Sequence, residues 1–270
     1  MFSIAAFADE ASPSLDGQIK AMHENGIRYL EIRGVDGENI SDISIQKAKE
    51  IRRRLDDEGI AVWSIGSPFG KIGMTEDMGA HIDKFRRCLE TAYILGTKHF
   101  RLFSFYGASD LDEVCERLSL FIRAAEGSDI ILCHENEKGI YGDTAGKCLE
   151  IHRALPSLRA VFDPANFIQC GQDTKEAWKM LSAYVEYMHI KDALSDGSVV
   201  PAGKGMGQLI YLLSQYKGEM LTIEPHLSVF DGYEKLERNN DLRAKYVYPD
   251  PITAFSAAVT ALKELIGDQL

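Results

Sequence analysis

The chain has 270 residues, 45% of them hydrophobic and 26% charged, and carries a formal net charge of −11. This composition suits a soluble folded domain with a sizeable core, and no apolar run reaches the roughly 20 residues that span a bilayer. The acidic balance argues against general nucleic-acid or anionic-membrane affinity, because nothing offsets phosphate repulsion. Five widely spaced cysteines (Cys88, Cys115, Cys133, Cys148, Cys170) form no CxxC pair. With no leader-like pattern at the start, they predict inert, reduced thiols and a cytoplasmic location.

Taken in order, the chain alternates short apolar runs with helical periodicity. Phe2 to Ala8 reads as a first strand ending at Asp9-Glu10. Ser12-Pro-Ser-Leu-Asp16 then carries helix-start chemistry, with Pro13 suited to the first turn. Tyr29 to Arg33 is strand two, a helix follows over 43–58, and Ala61 to Ile65 is strand three. Met78, Ile82, Phe85, Leu89 and Ala92 recur at helical spacing until Gly96. Strand four is His99 to Phe105, and Leu111, Val114, Leu118, Phe121 and Ala125 mark the next helix. Strands five to eight run Ile130–Glu135, Leu158–Asp163, Val185–His189 and Met220–Glu224, separated by helices ending at Leu155, over 173–183 and over 206–216. A charged loop over 227–249 precedes a last helix marked by Ile252, Phe255, Val259, Leu262 and Ile266. Eight strand–helix units predict one (β/α)8 barrel domain over 1–270, with an open doubly wound sheet as the alternative. No GxGxxG follows the first strand, so a dinucleotide fold lacks its fingerprint. Gly203-Lys-Gly-Met-Gly207 reads either as a loop cradling substrate or phosphate or as a plain turn.

Strands five to eight each end in a metal-capable group: Glu135, Asp163, His189 and Glu224. Parallel strands place their C-terminal ends on one side of the sheet, where barrels of this kind hold their sites. Three carboxylates meeting there would repel unless a cation or protons neutralise them. The donors suit one divalent ion: Mn²⁺ or Mg²⁺ first, then Co²⁺, Fe²⁺ or Zn²⁺. Taken singly, a strand-end Asp or Glu is as often a helix cap or a salt-bridge partner. Alternation along the strands makes Lys191, Arg33 and Arg101 candidates for holding an anionic substrate, or else ion-pair partners of the carboxylates. His226 is a further candidate for reaching substrate.

These residues resemble the xylose isomerase-like barrel superfamily, in its sugar phosphate isomerase/epimerase branch. The likeness runs from the Glu31 strand through Asp163-Pro-Ala-Asn166, His189-Ile-Lys-Asp192 and Glu224-Pro-His226. It implies a metal-dependent isomerase or epimerase acting on a sugar, a polyol or a derived keto acid, with Mn²⁺ the commonest ion. It also implies Glu135 and Glu224 as the acid/base pair, and homo-oligomers are frequent in the group. Asn166, Tyr141 and Ser195 depart from the ketose 3-epimerase pattern, which places His, Glu and Arg there. Asn166 and Tyr141 can still hydrogen-bond a substrate hydroxyl, and Lys191 can take part of the missing Arg's role. An inosose-type dehydratase and a non-catalytic sugar-binding barrel are the alternatives. A multi-zinc nuclease on the same barrel would need far more His ligands than the seven present.

Overall fold

The computed structural model describes residues 1–229 and 246–267. Eight parallel strands close into a barrel: β1 (Ser3–Ala6), β2 (Tyr29–Ile32), β3 (Ala61–Gly66), β4 (His99–Leu102), β5 (Ile131–Glu135), β6 (Arg159–Phe162), β7 (Val185–Ile190) and β8 (Met220–Ile223). Closure pairs β1 with β8, Ala5 opposite Thr222, so the first strand lies beside the last. Helices α1 (Leu15–Glu24), α2 (Ile45–Asp57), α3 (Met78–Leu95), α4 (Leu111–Ala125), α5 (Ala145–Ala154), α6 (Pro164–Gln169), α7 (Thr174–Leu181), α8 (Leu209–Gln215) and α9 (Pro251–Ile266) cover the outside. The closed parallel barrel excludes the open sheet. No helix among the described residues is long and apolar enough to cross a membrane.

Most helices start where a short polar side chain accepts an N–H freed at the first turn. Ser14, Ser44, Asp77, Asp110, Thr144, Asp173 and Asp250 each do so. Ser14 is therefore the cap of α1, and Pro13 lies before the helix rather than in its first turn. Gly96 ends α3 in the left-handed conformation, φ 73°. The helices' apolar faces meet the outer faces of the strands in the main core, where Phe69, Phe85, Phe100 and Phe121 pack edge to face or tilted. All five cysteines are free thiols.

Two expectations differ. The apolar run of strand four extends to Phe105, yet β4 stops at Leu102. Phe103 N–H donates to the Phe69 carbonyl and Phe105 N–H to the Gly70 carbonyl, so the chain leaves the barrel to tie down the loop after β3. Gly70 sits at φ +88°, where an added Cβ would lie 2.0 Å from the Phe103 carbonyl oxygen. Only glycine tolerates that approach. The second difference is α6, a six-residue helix that starts directly off β6.

Burial also sets an acid limit on the fold. His152 Nδ1–H donates to the Leu158 carbonyl at 3.2 Å, while burial pushes the imidazole down to about 4. Its folded value lies below that of the unfolded chain. The stability it contributes is therefore complete above about pH 6.5 and is lost as pH falls towards about 4. The melting temperature is expected to drop between about pH 7 and pH 5, and His152→Gln to flatten the decline. An identical slope in the variant would assign the acid sensitivity to other groups.

Candidate metal centre

The barrel interior holds a small separate core of Ala5, Cys133, Val161, Tyr187 and Met220. Strand alternation carries this inward direction two residues further, to Glu135, Asp163 and His189. Glu224 follows the last residue of β8 in the same way. One ligand atom from each of Glu135, Asp163, His189 and Glu224 lies within 4.8 Å of all the others, and all four residues are buried. Asp163 is also the cap of α6: its Oδ1 accepts the Asn166 N–H at 2.9 Å, and Pro164 occupies the first turn. The carboxylate is thus fixed by one oxygen, with Oδ2 left facing the cluster.

Cations and donors surround this set. Lys191 Nζ lies 2.8 Å from Glu224 Oε2 and 3.0 Å from Asp163 Oδ2. Arg101 Nη1 lies 3.1 Å from Glu135 Oε2. Arg33 contacts Asp9, Glu10 and Glu224 at 2.9, 3.0 and 3.2 Å. The Phe7 ring forms an apolar wall beneath them, with the Arg33 guanidinium 4.4 Å from its centroid and the His189 ring edge-on at 5.2 Å. Gly66 makes room for that ring, since a Cβ there would meet Phe7 at 2.6 Å. Beside the cluster lies a small cleft of about 10 Å³ whose lining includes Arg33, Lys71, Arg101, Phe103, Glu137 and His226.

The profile of the xylose isomerase-like TIM barrel family matches residues 19–242. The chain belongs to this family. Three solved structures share the xylose isomerase-like fold with it. The IOLI protein with a binding zinc atom superposes with a TM-score of 0.76 at 15% identity, covering 100% of this chain and 99% of that one. L-ribulose 3-epimerase gives 0.75 at 15% identity, covering 99% and 95%. The probable 3-DHS dehydratase AsbF of Bacillus anthracis gives 0.72 at 15% identity, covering 97% and 99%. No curated protein sequence matches the chain.

The donor set of this xylose isomerase-like barrel fits a cation on three grounds. A first-row divalent ion sits roughly 2.0–2.2 Å from its oxygen and nitrogen ligands, so its ligand atoms lie at most about 4.4 Å apart. The four ligand atoms, all within 4.8 Å of one another, meet at about that scale. Second, Glu135 Oε2 and Asp163 Oδ2 are buried and make no aligned hydrogen bond, although Arg101 and Lys191 stand close to them. Third, buried carboxyl groups crowd the cluster: Glu31, Glu135, Asp163 and Glu224 all lie there, with Arg33, Arg101 and Lys191 set among them. The strain shows in the titration. Burial pushes Asp163 up to about 7 despite Lys191, and the charges of Glu224 and Glu135 push the same way. Burial likewise raises Glu10 to about 8. His189 goes up to about 10 because Glu135 and Glu31 outweigh its burial.

Of the residues expected to contact substrate, Arg33, Arg101 and His226 line the cleft, Lys191 lies beneath it, and Asn166 Nδ2 reaches Glu135 Oε1 at 3.3 Å. Tyr141 is a correction. Its hydroxyl donates to Glu150 at 2.7 Å on the helix side of the loop, so it does not join the cluster. The Gly203–Gly207 loop is a second correction. The N–H groups of Gly203, Gly205 and Gly207 donate to the Asp192 carboxylate at 3.0, 2.9 and 2.8 Å, so the anion it cradles is the chain's own. The charged loop is described only at its ends; 230–245 lie outside the described residues. Sequence reasoning missed Glu10, Glu31, Lys71 and Glu137 as members of the site. Glu31 lies within β2 and the other three follow a barrel strand, a weak signal that gains meaning once the strands close in a ring.

Proposed function

We propose that this chain is a divalent-metal-dependent isomerase or epimerase acting on a sugar, polyol or derived keto compound. It would work by moving a proton at the carbon beside a carbonyl. Glu135, Asp163, His189 and Glu224 would hold the ion, with Mn²⁺ the best match to three carboxylates and one imidazole, and Zn²⁺, Mg²⁺, Co²⁺ and Fe²⁺ usable. When bound, the ion supplies Lewis acidity that makes the C–H next to a substrate carbonyl acidic. The convergence of four buried strand-end groups, two of them with oxygens lacking aligned hydrogen bonds, is the observation that carries this reading.

Glu135 and Glu224 both line the cleft and form the acid/base pair, one taking the proton and the other returning it. Burial alone would raise Glu224, but Lys191, His226, His189 and Arg33 hold it well below the ordinary carboxylate range. Glu224 therefore enters the reaction ionised. Asn166 and Arg101 hold Glu135 from two sides. Arg33, Arg101, Lys191, Asn166 and His226 supply donors for substrate oxygens. A dehydratase shares the enolising half and then expels a β-hydroxyl; the withdrawal of Tyr141 from the site keeps that reading open. Candidate ketoses and keto-polyols incubated with enzyme in D₂O are expected to gain deuterium at the carbon beside the carbonyl. A dehydrated product identifies the second reading, and turnover without deuterium uptake contradicts both.

A further inference from the structure

We infer that Glu31 is a positioning residue: its hydrogen bond to the outer nitrogen of His189 fixes which imidazole nitrogen would face the metal. This rests on the metal-centre reading above. Glu31 is fully buried, and its Oε2 lies 3.2 Å from His189 Nε2. Its Oε1 accepts the Tyr187 hydroxyl at 2.8 Å, and that hydroxyl lies 3.1 Å from Ser64 Oγ. A carboxylate only accepts, so both the tyrosine O–H and the Nε2–H donate to it. The other ring nitrogen, Nδ1, lies 3.0 Å from Glu135 Oε1 and 3.7 Å from Glu224 Oε2. Nδ1 is thus the nitrogen among the proposed ligands. Nδ1 faces the Glu135 carboxylate just as Nε2 faces Glu31, so each ring nitrogen donates; a bound cation would take the place of the Nδ1 proton, and Glu31 would keep the remaining proton on Nε2. Phe7, edge-on at 5.2 Å, limits the ring from another side. The chain of contacts runs Ser64, Tyr187, Glu31, His189, wholly inside the barrel.

The test uses Co²⁺, with affinity measured by competition against a chromogenic chelator and coordination read from the visible absorption spectrum. Glu31→Gln is expected to bind Co²⁺ roughly 10–100-fold more weakly and with an altered spectrum. Tyr187→Phe, which leaves Glu31 charged but one hydrogen bond short, is expected to show a smaller loss in the same direction. Wild-type affinity and spectrum in Glu31→Gln overturn the role, as does a lowered melting temperature with an unchanged spectrum. Should Glu31→Gln fail to fold, Tyr187→Phe decides, and unchanged Co²⁺ binding there overturns it. Absence of Co²⁺ binding by the unsubstituted chain instead removes the metal reading itself, a result distinct from the other failures.

Discussion

Glu135→Gln and Glu224→Gln are each expected to lower proton exchange at the substrate carbon by about 10²–10⁴-fold, measured at saturating metal. Glutamine keeps the shape and one oxygen donor but can neither take nor return a proton. The two should not act additively. Groups that work as a unit lose most of their effect with the first removal, so the double variant is expected to fall little below the weaker single. Glu224 has a second reason for a large effect. It is an anion shared by the buried cations Arg33 and Lys191, so neutralising it removes part of the counter-charge of each, leaving Arg33 to Asp9 and Glu10 and Lys191 to Asp163. A lower melting temperature is therefore expected for Glu224→Gln than for Glu135→Gln. Exchange rates within a fewfold of wild type in both single variants would remove them from the chemistry.

Stripping divalent ions with a chelator is expected to abolish turnover, and adding Mn²⁺ or Zn²⁺ back to restore it. The fold should respond too. An ion present at about 100 times its dissociation constant adds roughly 2.7 kcal/mol of stability. For a domain of this size that corresponds to roughly 5–10 °C in melting temperature. The cluster explains the direction: burial and the Glu224 and Glu135 charges work against an ionised Asp163, and a cation relieves them. Full turnover in the chelated protein would contradict the reading, whatever the melting curve does.

Much of this arrangement was legible from the sequence, because barrel strands buried on both faces read as short apolar runs. The four strand-end groups were legible as the residues that close four apolar runs, and the structure adds their direction: Cys133 points in, so Glu135 does, and Val161 leads likewise to Asp163. Where the reading overran, apolarity reported burial rather than extended structure. Phe103 and Phe105 are buried in a loop, with Phe105 at φ 67°, and prolonged strand four on paper only. The α6 helix was too short to show periodicity; its one signal was Asp163-Pro164, a cap followed by a proline. The glycine loop read either as an anion cradle or as a plain turn; it is a cradle, but its anion is Asp192, eleven to fifteen residues earlier on the same strand exit. Glu10 and Glu31 stayed hidden because their partners, His226 and His189, are brought to them only by closure of β1 and β2 against the far strands.

The most direct measurement is the anomalous scattering of a crystal of the Mn²⁺-loaded protein, collected near the manganese edge. One strong peak per chain is expected, within bonding distance of Glu135, Asp163, His189 and Glu224. A chain that turns over its substrate with no peak there, or with its ion held elsewhere, would contradict the proposed centre.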